Sequence, residues 1–98
     1  MFQASGAVIP VQPGENLSLA VRPGTYLIQN ILVQGHPIDT TNKYWAVLRV
    51  TAVAVDHSVM LQEIVVRTGD GTNRVFYRFG RDHKINTTTI HWEAWVEK

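Results

Sequence analysis

The sequence contains no cysteine. It therefore has no disulfide, no thiolate nucleophile and no cysteine-ligated metal. Charge is also scarce. Charged residues make up 17% of the chain, and nine Lys and Arg oppose eight Asp and Glu, for a net charge of +1. That balance gives no electrostatic reason to expect nucleic acid or an anionic membrane as a partner. Long apolar runs are missing as well. The richest stretch, Tyr44–Val55, is broken by Arg49 and Thr51, and no segment approaches the ~20 apolar residues of a membrane-spanning helix. The start, Met1–Gly6, lacks the basic region and apolar run of a signal peptide, so none is expected. There is no internal repeat and no low-complexity tract.

What is present suits one small core. The chain has 98 residues, 45% of them hydrophobic, enough for a single domain and too few for two. Residues 1–98 read as one β-rich domain, with 1–14 as a lead-in. β-Branched and aromatic residues come in short runs punctuated by Gly and Pro, which is the pattern of an all-β protein. No ten-residue stretch holds a helical period without a breaker.

Ala7–Val11 reads as a short edge strand, where Pro10 is tolerated. Leu17, Leu19 and Val21 fit a half-buried strand or a short helical turn. Pro23-Gly24 suits a type II turn, with Gly24 supplying positive φ. Thr25–Val33 reads as a strand, with Tyr26, Ile28 and Asn30 on one face and Leu27, Gln29 and Ile31 on the other. Gln34–Asn42 is a polar loop. Tyr44–Val55 is the clearest strand and is apolar on both faces. It must be central and covered on both sides, or covered by a partner chain. Val59–Arg67 returns beside it. Asp70-Gly71 is a hairpin signal. In Arg74–Arg81, Val75, Tyr77 and Phe79 are expected inward and Arg74, Phe76 and Arg78 outward or toward a neighbour. Ile85–Val96 closes a four-strand antiparallel meander, packed on the elements of the first third. On that closing strand Trp92 and Trp95 point to opposite faces.

Catalytic patterns are absent. The four histidines, His36, His57, His83 and His91, have no metal-ligand spacing and read as surface residues. There is no Gly-x-Ser-x-Gly elbow and no phosphate loop. Asp39, Asp56, Asp70 and Asp82 fall in turns, where Asp bonds to the local backbone. The Arg74–Phe79 interleaving of arginine and aromatic residues lacks the ribonucleoprotein signature. No cofactor and no metal are expected, and the reading is non-enzymatic, with a small glycan-active enzyme as the alternative because the convergence of two carboxylates is a three-dimensional fact that sequence leaves open.

Three patterns then fall in a suggestive order. Glu15–Tyr26 is a polar-led segment ending in Pro23-Gly24-Thr25-Tyr26. The long apolar strand and its return follow, the latter carrying Gln62. Last come Phe76-Tyr77-Arg78 and Trp92-x-x-Trp95. Over residues 15–96 this order resembles the pyocin-knob type of domain found in the tail fibres of bacteriophages and phage-tail-like bacteriocins. The resemblance implies a compact β-sheet or sandwich knob with little helix, in a homotrimeric virion tail fibre made in the host cytoplasm. Its implied function is attachment to host surface polysaccharide or lipopolysaccharide. Its implied partners are that glycan and other fibre segments, without nucleic acid or membrane insertion. The alternative is a structural module that trimerises or caps the fibre without a ligand. Gly24, Tyr26, Trp92 and Trp95 would be framework positions. A glycan site is expected on the polar loop, where His36, Asp39 and Asn42 stand beside the aromatic face of Tyr44.

Overall fold

The computed structural model describes residues 8–38, 44–67 and 71–98. The strands are β1 (Val8–Pro10), β2 (Gly24–Ile31), β3 (Tyr44–Ala52), β4 (Met60–Arg67), β5 (Asn73–Arg81), β6 (His91–Trp92) and β7 (Val96–Glu97). They form a single open sheet in the order β1-β2-β3-β4-β5, with β6 and β7 sharing the outer edge of β5. β1 runs parallel to β2, and every other pairing is antiparallel. The mainly-β expectation holds, with one mixed sheet in place of two sheets face to face. The lead-in contributes the edge strand β1, with Pro10 on it as the sequence suggests.

Period-2 alternation sorts the strands into two faces. One face carries Tyr26 and Ile28 of β2, Leu48 and Val50 of β3, Met60, Ile64 and Val66 of β4, and Phe76 of β5, all buried. Among the described residues no second sheet covers them. Their cover is Val11, Leu17 and Val33 from the segments flanking β2. A 3-10 turn, Leu17–Leu19, presents Leu17 to this core, and Asn16 caps it by accepting a hydrogen bond from the Ser18 amide. The backbone of 14–17 is tied to 32–34 through Gly14 N to Leu32 O, Leu17 N to Gln34 O and Gln34 N to Glu15 O.

The turn chemistry differs from the sequence reading at one place. Gly24 is the first residue of β2, paired with Val50. It is not among the glycines with positive φ. The type II turn lies ten residues earlier. Glu15 N bonds to Gln12 O, Pro13 sits at the second position, and Gly14 takes φ 83°. Both Pro-Gly pairs carry the same local signal, and pairing with β3 draws the second one into the sheet.

β2 is also irregular. A bulge between Gln29 and Ile31, with Asn30 at φ 57°, shifts the register. It turns Ile31 onto the core side opposite Tyr44, whereas strict alternation had placed Ile31 on the other face.

The faces of β5 are reversed from expectation. Phe76 and Arg78 are buried, while Phe79 is exposed. The closing strand is also not continuous. After β5 the chain makes an irregular excursion over 82–90, returns as β6 against Gly80 and Arg81, leaves the edge again, and ends as β7 against Phe76 and Tyr77.

Candidate functional site

Four observations follow from this frame, the first being the buried side of β5. Gln62 on β4 is fully buried with a polar amide. Its Nε2 donates to Ala20 O at 3.0 Å, a carbonyl that the 3-10 turn leaves open, and to Leu17 O at 2.7 Å, which also accepts from the Ala20 amide. Its Oε1 accepts from Arg78 Nε at 2.8 Å. Arg78 Nη2 reaches Ser18 Oγ at 3.3 Å. The guanidinium lies between two indoles, 4.7 Å from the Trp92 ring centre and 4.3 Å from that of Trp95. Among the described residues no ion pair involves Arg78. Burial lowers its pKa from 12.5 to about 10, so it remains a cation at neutral pH. Two ring faces and two neutral acceptors stand in for a carboxylate.

This corrects the reading of the tryptophans and of Arg78. The break between β6 and β7 abolishes strict alternation, so Trp92 and Trp95 both reach Arg78. Each indole N–H also finds a backbone acceptor, Trp92 on Ser18 O at 2.8 Å and Trp95 on Gly35 O at 3.0 Å. Trp92 crosses the sheet edge opposite Gly80, where a Cβ would lie 2.7 Å from the indole. Arg78 faces inward because its flat cation fills this slot and bonds there. A rule that sends charge outward misses it.

The second observation concerns the other sequence-predicted positions. His36 and Tyr44 do meet, edge to face, with ring centres 5.3 Å apart. Tyr44 belongs to the buried core, so its ring offers no open face. Its hydroxyl is buried without a partner among the described residues, and burial pushes the phenol above its ordinary range. Asp39 and Asn42 lie outside the described residues. Tyr26 is buried, and its hydroxyl donates to Arg22 O at 2.6 Å, holding the entry to β2. Burial raises its pKa as well.

The histidines form the third. The surface expectation fails at His83, which is 7% exposed. Its Nδ1 lies 2.7 Å from His57 O and its Nε2 3.0 Å from Thr87 O. It fastens the 82–90 excursion to the turn between β3 and β4.

The fourth is the open face of the sheet, which the alternation on both sides of β3 had signalled. A cross-strand row, Pro10–Leu27–Val47–Val65–Val75, is apolar through five strands. Val47 and Val65 are 40% and 46% exposed. Beside this row Trp45 stands 53% exposed at the rim of a hollow of about 260 Å3 floored by Leu27, Val47 and Val65. On the other side the next row along β3 and β4 is charged, with Arg49 opposite Glu63 and Lys98 bonded to Glu63 at 2.9 Å. Leu61 and Phe79 pair one row further on, and Phe79 meets Tyr77 edge to face.

Among the described residues no group of three or more His, Asp or Glu is placed to hold a metal ion. No helix among them is long and apolar enough to cross a membrane. Compared with known proteins, the chain matches no family model, no curated protein and no solved structure.

Proposed function

We propose that the chain is a non-enzymatic assembly module, a knob of a virion tail fibre of the kind its sequence resembles. Its copies associate as a homotrimer through the open sheet face. The observation that carries this reading is the uninterrupted apolar row through five strands, with Trp45 beside it. Monomers rarely expose a contiguous apolar surface of that kind, and such surfaces mark protein contacts. A second copy of the same chain is the natural occupant. In a trimer the apolar faces of the three copies turn toward the threefold axis and bury one another, and the Arg49–Glu63 row beside them supplies both signs of charge. Closed symmetric assembly then removes the exposed surface from every copy at once. In this reading attachment to a host surface polysaccharide belongs to the assembled fibre, where repeated weak contacts add up.

The test is a double variant, Val47→Lys with Val65→Lys. Both side chains point away from the core, so circular dichroism should be unchanged. Sedimentation should show self-association of the parent chain and its loss in the variant. A variant that associates as strongly as the parent would overturn the assignment of this face.

A further inference from the structure

A second concavity lies far from the open face. Residues 19–23 form one wall, and His57 with the excursion 83–88 forms the other, enclosing about 490 Å3. That volume is in the range of small-molecule sites.

The far wall is rigidly built although it contributes no strand. His83 spends both ring nitrogens on it, as described above. Thr87 Oγ1 donates to Lys84 O at 2.6 Å and accepts from the Thr89 amide at 3.1 Å. Lys84 N bonds Thr89 O, and Thr87 N bonds Lys84 O. Of the four non-glycine residues with positive φ among those described, three are here: His57, Asp82 and Asn86. Such conformations are uncommon outside glycine and cost free energy.

The lining is amphipathic and one-signed. Its apolar part is aliphatic: Leu19 and Ile85, both largely exposed, with Val21 and Pro23 on the Leu19 wall. Among the described residues no Phe, Tyr or Trp lines it. Its unengaged polar groups are Arg22, His57, Asn86 and Thr88, whose side chains make no hydrogen bond among the described residues. Among the described residues no carboxylate lines it.

We infer that this groove binds a small organic anion, with its carboxylate at Arg22 and its aliphatic body between Leu19 and Ile85. Charge complementarity selects the acid, since the lining offers a guanidinium and an imidazole and nothing negative. The aliphatic walls select a ligand with an apolar body over a bare inorganic anion or a polyhydroxylated neutral molecule. This inference is independent of assembly through the open face.

The experiment is an amide chemical-shift titration of the labelled protein with sodium hexanoate, run beside sodium sulfate and hexanamide. Saturable shifts should appear at Arg22, His57, Asn86 and Thr88 below about 10 mM hexanoate. Arg22→Gln should weaken hexanoate about tenfold, the size of a lost charge-assisted bond. Ile85→Ser should weaken hexanoate and leave any sulfate response unchanged. Arg22 and Ile85 are exposed, so both variants should fold. No saturable shift in the groove would overturn the inference. Equal binding of hexanamide would overturn the role of charge, and equal binding of sulfate would overturn the role of the aliphatic walls.

Discussion

Gln62 ties the 3-10 turn to β5. It bonds two carbonyls of the turn and one nitrogen of Arg78. Gln62→Leu keeps about the same volume and orphans Ala20 O and Arg78 Nε, while Leu17 O keeps its bond from the Ala20 amide. At about 1 kcal/mol or more for each unsatisfied buried group, the variant should lose about 2–3 kcal/mol in urea unfolding. A loss below about 1 kcal/mol would show that water replaces the amide. Gly80 acts by close approach. Gly80→Ala forces a Cβ against Trp92 and should cost about 1–3 kcal/mol, the usual penalty of overfilling a tight site. Near-UV circular dichroism should change with it as the indole moves. Unchanged stability and spectrum would mean that Trp92 does not lie across that position. The sequence showed Gln62 on the core face of its strand, because Met60, Ile64 and Val66 share its parity. It did not show Arg78 there. Nothing local distinguishes a solvated arginine from one held between two rings that arrive 14 and 17 residues later.

At the scale of elements, the short strands at the edge of β5 depend on side-chain ties. Arg74 and Glu97 form a two-bonded pair at 2.8 and 2.7 Å that fastens β7. The bonds from Arg74 hold the Glu97 carboxyl below its ordinary range. A depressed carboxyl contributes while it is ionised and ceases to do so as pH falls through its folded value. The contribution of the pair is therefore complete above the ordinary carboxylate range and is lost only below it. Protection of the Lys98 amide relative to a free amide, its N–H bonding Val75 O, should persist to mildly acidic pH and fall below. Glu97→Gln should show the lower protection already at neutral pH. Equal protection in parent and variant would mean that the backbone pairing suffices alone. The central strands β3 and β4 were readable because alternation and turn residues agree over them, and β5 was readable as a strand but not in which side it buries, since Phe76 and Phe79 are apolar at opposite parity. The two ends were less so. The bulge at Asn30 and the gap between Trp92 and Val96 each shift parity, and a strand period carries no mark of a skipped residue.

For the whole molecule, the apolar side chains on both faces of β3 pose one question of cover. Loops and the 3-10 turn cover the inner face, which holds Leu48 and Val50. The outer face, with Trp45 and Val47, has no cover from its own described residues. That imbalance was legible in the sequence, since a chain this short has little left to cover a second apolar face. It could not say which face would stay open, because Phe76 and Phe79 compete for the same core on neighbouring positions. Assembly through the open face should be salt-tolerant, as apolar burial is. An association that disappears at high salt would point instead to the charged row of Arg49 and Glu63.

The most direct test is the mass of the chain in solution, by light scattering over a concentration series. The account predicts a species of three times the 11.0 kDa chain that dissociates on dilution. A mass of one chain at every concentration would contradict it, because the row from Pro10 to Val75 would then remain open to water without a partner.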